Sequence, residues 1–286
     1  MTFGEGKKEL IELLTPLYGP GEASSMACMV IEKLTGLPRA MQHKLTYSTI
    51  PNAQLETLKG FGTALLEHRP VQYVLEEAWF LNRRFYVNES VLIPRPETEE
   101  LVMLAIETIG QKEPPQKPIS ILDIGTGSGC IAISLALASN KFSVTGIDIS
   151  PEALGVATKN SDALGAKVHW QKTDFLDPKQ WEPFAGMEAI VANPPYIPLA
   201  EKSVLDKNVT AWEPGLALFT PNDDPIIFYK AIAAFCQKYT LPHRVILLEG
   251  HQKFMGDLHA LFSPLFGNTT IRKDINGNER LLIAHN

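Results

Sequence analysis

Apolar residues recur at helical spacing through the first 75 positions. Leu10, Ile11, Leu13, Leu14 and Leu17 mark one face, interrupted at Gly19-Pro20-Gly21. Met26, Val30, Ile31 and Leu34 mark a second, stopped by Gly36 and Pro38. Leu55, Leu58, Phe61, Leu65 and Leu66 follow Pro51 as a third. No strand pattern intervenes, so residues 1–75 are expected to form a small helical bundle domain. The period then shortens. Trp79-Phe80-Leu81 and Arg84-Phe85-Tyr86-Val87 flank Asn82-Arg83 as two short strands around a turn, and Val91-Leu92-Ile93 runs extended into Pro94. Residues 76–95 therefore read as a β-hairpin linker. Pro94 and Pro96 punctuate the chain before an apolar helix that begins near Glu97.

From residue 96 to residue 286 strands and helices alternate. Strands are expected at Ile119–Ile124, Ser143–Ile149, Lys167–Gln171, Glu188–Ala192, Arg244–Glu249, Thr269–Lys273 and Arg280–Ala284. Helices are expected at Cys130–Ala138, Pro151–Leu164, Ile226–Tyr239 and Phe254–Leu261, and a polar, proline-rich segment fills the interval up to residue 224. Repeated βα units imply a mostly parallel sheet covered by helices, an α/β fold.

Composition narrows the function classes. Hydrophobic residues make up 45% and charged residues 20% of 286, an ordinary globular balance. The net charge of -6 and the lack of a basic stripe speak against a nucleic-acid target. Cys28, Cys130 and Cys236 lie far apart, which fits buried thiols in a reducing cytosol better than a disulfide framework or a metal site. The seven histidines show no ligand spacing, so no metal is expected. No apolar run of membrane length and no signal-peptide pattern occurs, and a cytoplasmic monomer away from membranes is expected.

Chemistry concentrates at the ends of the expected strands. Asp123-Ile-Gly125-Thr126-Gly127-Ser128-Gly129 follows the first strand of the repeat and opens a helix. Glycines there let the backbone turn sharply and pass close beneath a ligand. The spacing is GxGxG rather than the GxGxxG of nicotinamide sites. The next strand ends at Asp148, where a carboxylate can accept hydrogen bonds from both hydroxyls of a ribose. After the third strand comes Asp174-Phe175, either a carboxylate and a ring for an adenine or a capped loop with a core phenylalanine. Asn193-Pro194-Pro195-Tyr196 leaves the following strand at the carboxyl edge of the sheet, where open α/β proteins bind ligands. The Asn193 side-chain oxygen and the Pro194 carbonyl can each accept one N–H of a target NH2. Two prolines stiffen the turn, and Tyr196 offers a flat wall for an amide or a base.

The DxGxGxG loop with Asn193-Pro194-Pro195-Tyr196 resembles the class I S-adenosylmethionine methyltransferases that modify amide or exocyclic nitrogen. Val91-Leu92-Ile93-Pro94-Arg95-Pro96-Glu97-Thr98-Glu99 is narrower and is similar to the signature of the HemK/PrmC-type glutamine methyltransferases. Further likeness runs through Arg69-Pro70, Trp212-Glu213-Pro214, Glu249-Gly250-His251-Gln252 and Asp274 to Arg280. The resemblance implies a seven-strand-type, Rossmann-like methyltransferase domain at 96–286, behind a helical substrate-recognition domain and the hairpin. It implies S-adenosyl-L-methionine as cofactor, held by Gly125, Thr126, Gly127, Ser128, Gly129, Asp148, Phe175 and Asn193. It implies that Asn193, Pro194, Pro195 and Tyr196 seat the glutamine of the GGQ motif of class I peptide chain release factors, whose N5 methylation supports translation termination.

Two stretches depart from that family. Its members often carry a Tyr-Ile-x-Gly pattern where this chain has Tyr73-Val74-Leu75-Glu76, and a glycine-rich run where it has Phe219-Thr220-Pro221-Asn222-Asp223-Asp224. Other residues stay open at this level. Arg83-Arg84 can steer an acidic partner or be a solvated turn; Glu249 can lie by the site or cap the turn at Gly250. Pro94–Glu99 can be a helix start or a loop that touches substrate. Two further functions fit the same motifs: methylation of adenine N6 or guanine N2 in a flipped base, and non-catalytic binding of the cofactor.

Overall fold

The computed structural model describes residues 1–110, 117–241 and 243–286 and divides them into two compact units. One comprises Met1–Glu77 with Asp206–Trp212, the other Ala78–Leu205 with Glu213–Asn286. In chain order the helices are α1 (Phe3–Thr35), α2 (Asn52–Leu66), α3 (Val71–Leu75), α4 (Pro96–Gly110), α5 (Cys130–Ala138), α6 (Pro151–Leu164), α7 (Lys207–Trp212), α8 (Gly215–Leu218), α9 (Ile227–Lys238) and α10 (Met255–Phe262). The strands are β1 (Ala78–Phe80), β2 (Arg83–Phe85), β3 (Ile119–Ile124), β4 (Phe142–Asp148), β5 (Val168–Lys172), β6 (Ala189–Ala192), β7 (Val245–Glu249), β8 (Asn268–Lys273) and β9 (Glu279–His285).

The first unit is helical. Its long helix α1 opens with a capping box, in which the Thr2 hydroxyl accepts from Glu5 N and the Glu5 carboxylate accepts from Thr2 N. The expected break falls at Gly19, whose φ of 75° and ψ of 163° lie outside the helix and kink it into two arms. Leu10, Leu14, Met26, Ala27, Val30 and Ile31 from both arms pack with Leu58 and Leu65 of α2 into one buried cluster. Helix α7, from the proline-rich segment, belongs to this unit: the Trp212 indole donates to Glu67 O at 3.3 Å, and the Arg69 guanidinium lies 5.8 Å from its ring.

Glu76 ends α3 in the left-handed region, at φ 52° and ψ 39°. The Tyr-Ile-x-Gly pattern of the family that the sequence resembles would put a glycine here, a residue that occupies this region at no steric cost.

The second unit is a seven-stranded sheet in the order β5-β4-β3-β6-β7-β9-β8, with a separate β1-β2 hairpin. β5, β4, β3, β6 and β7 run parallel; β9 pairs antiparallel with both β7 and β8. Both faces are buried. Alternate residues Ile121, Val144, Val191, Leu247 and Ile283 face a core that includes Leu101, Val102 and Ala105 of α4 and Ile131 to Leu135 of α5. Their neighbours Leu122, Ile147, Ile190, Leu248 and Leu282 face a second core with α9, α10 and Trp181. Strand period two, covered on both sides by helices, explains why β6 and β7 read as unbroken apolar runs.

The hairpin turn lies one residue earlier than expected. Leu81 and Asn82, at φ 45° and 59°, form it, and Arg83 starts β2. A two-residue turn that matches the strand twist needs positive φ at both centres, which Asn tolerates and Arg83 is spared. Phe80 and Phe85 from the two strands are fully buried in the first core. Buried Asn160 of α6 ties the exit of the hairpin to the glycine loop. Its Oδ1 accepts from Tyr86 N at 2.7 Å, and its Nδ2 donates to Tyr86 O and Ser128 O, both at 2.9 Å.

Replacing Glu76 by glycine is expected to stabilise the protein by about 1 kcal/mol, the left-handed strain relieved less the added freedom of the unfolded chain. Denaturant unfolding checks this; an unchanged or lower midpoint would contradict the strain at Glu76.

Candidate active site

The parallel strands end side by side, so the segments that follow β3, β4, β5 and β6 meet at one edge. Within the second unit they surround a cavity of about 560 Å³. Gly125 and Gly127 form its floor, with Asp148 at the end of β4. Ile149, Phe175, Leu176, Phe219 and Phe228 contribute apolar wall, and Asn193 and Pro195 lie at one end. A mostly apolar hollow with few polar groups is the usual form of a small-molecule site.

The glycine loop is shaped by its backbone. Gly125, Gly127 and Gly129 have φ of 72°, 54° and 79°, a region closed to most other residues. Asp148 holds the loop: its Oδ2 accepts from Gly127 N and its Oδ1 from Ser150 N, both at 2.9 Å. Burial raises its pKa above the usual carboxylate range, against the pull of those amides. Each oxygen keeps lone-pair capacity toward the cavity.

The remaining loop residues turn inward. The Thr126 hydroxyl donates to Asp123 Oδ2 at 2.5 Å, and Ser128 is buried. Neither they nor Gly129 line the cavity. A side chain at Gly129 would meet Ile133, Trp170 and Ala157 at 3.0–3.1 Å, so that glycine admits close packing at the start of α5. Asp123 is fully buried and pushed up to about 7 by desolvation, and its Oδ1 has no protein partner. Its Oδ2 also accepts from Ala132 N at 3.2 Å, so this acid ties the loop to the start of α5.

Phe175 is a core phenylalanine that also reaches the cavity. It lines the cavity, and its ring packs 5.6 Å from the centroids of Trp181 and Phe235. Asp174 Oδ1 accepts from Leu176 N at 2.9 Å, which shapes the turn below it.

Asn193 follows the buried strand β6. Its Nδ2 donates to Thr98 Oγ1 at 3.0 Å, and that hydroxyl donates to Glu249 Oε2 at 2.7 Å. With Nδ2 committed, Oδ1 is the amide's free acceptor. Pro194 is buried, and Tyr196 turns toward Glu249, donating to Oε1 at 3.4 Å, with its ring 6.0 Å from that of His251. Asn193 and Pro195 line the cavity, and Pro194 and Tyr196 are not among its lining residues.

The segment Pro94–Glu99 is a helix start: α4 begins at Pro96, with Glu97 and Glu99 in its first turn. Arg95 Nη2 donates to Glu213 Oε1 at 2.5 Å, and Ile93 N donates to Glu213 Oε2 at 3.3 Å. Glu97 accepts from Asn276 Nδ2 at 3.2 Å, and Glu99 from Leu81 N at 3.0 Å. These bonds fasten the cavity rims at Val91–Leu92 and Pro214–Ala217 to the start of α4. Thr98 and Glu213 entered the sequence reading only as members of motifs, and their partners were not foreseen, because a threonine in a first helical turn looks like an ordinary cap and a lone Glu has no visible partner. The glycine-free run that begins at Phe219 is shaped by a bridge between Ile197 and Phe219, with Thr220 N donating to Ile197 O at 3.0 Å.

All three cysteines are free and buried, and among the described residues no group of His, Cys, Asp and Glu is arranged to hold a metal ion. No helix among them is long and apolar enough to cross a membrane.

Comparison with known proteins follows the same lines. The Methyltransferase small domain matches residues 104–210. A release factor glutamine methyltransferase of Flavobacterium psychrophilum is 35% identical over 277 residues, 96% of each chain. Its counterpart in Bacillus subtilis is 35% identical over 270 residues and 92% of each chain; that of Leptospira interrogans is 40% identical over 234 residues, 76% of this chain and 75% of its own. Among solved structures, the catalytic domain of hMettl16 in complex with the MAT2A 3′UTR hairpin 6 has a TM-score of 0.53 at 15% identity, over 82% of this chain and 81% of that one, a likeness of fold.

Asp148→Ala is expected to weaken S-adenosylmethionine binding by on the order of 1.5–3 kcal/mol for each charge-assisted hydrogen bond lost. Calorimetric titration showing unchanged affinity would contradict a ribose contact at this carboxylate.

Proposed function

The chain belongs to the release factor glutamine methyltransferases, and from that premise we propose that Asn193, Pro194, Pro195 and Tyr196 seat the target glutamine beside the cavity that takes the cofactor. The protein is an S-adenosylmethionine-dependent enzyme that methylates N5 of the glutamine in the GGQ motif of peptide chain release factors. The residues present fit that cofactor: a carboxylate at the end of β4, bare glycine backbone beneath, and apolar walls for a nucleobase. S-Adenosylmethionine supplies an electrophilic methyl on a cationic sulfur.

Within this reading Gly125, Gly127, Asp148 and Phe175 hold the cofactor, with Thr126, Ser128 and Gly129 keeping the loop in shape. An amide nitrogen is a poor nucleophile because its lone pair is delocalised. Asn193 Oδ1 and the Pro194 carbonyl accept the two N–H groups of the target, which fixes the nitrogen and favours a tetrahedral geometry. The bound cofactor would supply the methyl and keep the electron pair of the broken carbon–sulfur bond on sulfur, the nitrogen giving up one proton in exchange, while Asn193 and Pro194 hold that nitrogen in place. Positioning carries the catalysis, since well-oriented groups reach effective molarities of about 10⁵–10⁸ M.

The observation that carries the reading is the Asn193 amide, fixed by Thr98 with its acceptor oxygen left for the substrate. Asn193→Ala should lower kcat by about 100-fold while sparing cofactor affinity, because a nucleophile misplaced by roughly 1 Å loses that much. A release factor should be labelled at Gly-Gly-Gln and not when that glutamine becomes asparagine, too short to reach, or glutamate, which has no N–H. DNA and RNA should stay unlabelled at low salt, where electrostatic binding is strongest. Full activity of Asn193→Ala, or labelling of nucleic acid in place of the release factor, would overturn the proposal.

The N-terminal helical unit has no chemical motif, and we read it as the part that grips the release factor; the enzyme acts as a monomer in the cytoplasm. Leu13 and Leu17 on α1 are 45% and 38% exposed, more apolar surface than a solvated helix needs. Substituting both by glutamate should raise KM for the whole release factor and leave KM for the cofactor unchanged. An unaltered KM for the factor would remove this helix face from recognition.

A further inference from the structure

We propose that Glu249 and Thr98 form a proton-directed relay that fixes which end of the Asn193 amide faces the substrate, so that Glu249 acts as a positioning residue in its ionised form. The inference rests on the reading of Asn193 given above and names what controls it.

The geometry assigns the direction of each proton. A threonine hydroxyl has one hydrogen and can also accept. Glu249 Oε2 stands 2.7 Å from Thr98 Oγ1, and a carboxylate can only accept. The Thr98 proton is therefore committed to Glu249, and its oxygen can serve Asn193 only as an acceptor. Asn193 must then present its NH2 to Thr98, at 3.0 Å, and its oxygen to the target. An amide with its NH2 toward the target would oppose donor to donor and exclude the glutamine NH2.

Protonated Glu249 has an O–H of its own. It can donate to Thr98, which frees the Thr98 proton to turn toward Asn193. The Asn193 amide is then satisfied equally well with its oxygen inward, and the acceptor is lost from the substrate side. The relay thus reads the charge of one buried carboxylate and converts it into the orientation of an amide one hydroxyl away.

Glu249 is placed to titrate. It is 1% exposed, and its pKa is pushed up to about 7, first by desolvation; Glu97 on α4 also raises it, while the Thr98 and Tyr196 hydroxyls and Arg280 on β9 oppose the rise. Tyr229 from α9 donates to its backbone carbonyl at 2.7 Å and carries no charge near neutrality. His251, beside Tyr196, is held below the ordinary histidine range by burial and stays neutral above it.

For an acid whose charged form is required, activity is lost as pH falls through its pKa. At saturating cofactor, kcat should rise from about pH 6 to a plateau above about pH 8, one ionisation wide. In Glu249→Gln that limb should vanish and kcat should be low throughout. Thr98→Val, of nearly the same shape, should lower kcat by about 10- to 100-fold, with unchanged calorimetric affinity for S-adenosylhomocysteine, and Thr98→Ser should restore most of the turnover. A flat wild-type profile, a surviving limb in Glu249→Gln, or full kcat in Thr98→Val would overturn the relay. If Thr98→Val does not fold, the two pH profiles decide the question alone. Asn193→Ala run alongside separates the two claims. Crippled Asn193→Ala with active Thr98→Val sinks the relay only, and active Asn193→Ala sinks the reading beneath it.

Discussion

A carboxylate buried at the end of a central strand organises the substrate side of this protein. Glu249 ends β7 between β6 and β9, with almost no contact with water. Burying an acid is costly unless donors meet it, and here they come from separate parts of the chain. Thr98 arrives from the first turn of α4, Tyr196 from the turn after β6, and Tyr229 from α9 to the backbone oxygen. Arg280 of β9 donates to Gly250 O at 3.3 Å, one residue further on. Satisfying one acid thereby fixes the start of α4 and the Asn193–Tyr196 turn relative to one another.

The other half of the edge is built on a second acid. Asp148 accepts from the glycine loop and from the turn that starts α6, so the floor of the cavity is set by a group that also faces its contents. The two halves differ in kind. Around Asp148 the walls are apolar and suit a flat, partly hydrophobic cofactor; around Glu249 the groups form a chain of directed hydrogen bonds. A methyl transfer to nitrogen needs both: a dry holder for the donor and a rigid acceptor for the N–H groups of the target. No acid is needed for the leaving group, which departs as a neutral thioether, so the buried carboxylates are free to serve as supports.

Much of this architecture was legible in the chain because the signals were local. β3, α5 and α6 begin and end where period, glycine and Pro151 place them. The hairpin turn slipped by one residue because Leu81 adopts positive φ, which nothing in its side chain announces. Phe175 is a core ring, as one of its two readings had it, and it also borders the cavity. Thr126, Ser128 and Gly129 sit in the loop, yet their side chains and close packing serve its interior. Thr98, Glu213 and Glu249 act through partners from 53 to 151 residues away, and separations of that size leave no periodic trace. The same holds for α7, which packs by Trp212 with residues near position 67.

A crystal structure with S-adenosylhomocysteine and a Gly-Gly-Gln peptide tests the arrangement most directly. The glutamine NH2 should lie within about 3 Å of both Asn193 Oδ1 and the Pro194 carbonyl, with Asn193 Nδ2 still on Thr98. A glutamine seated elsewhere, or an Asn193 amide turned with its NH2 toward the peptide, would contradict it.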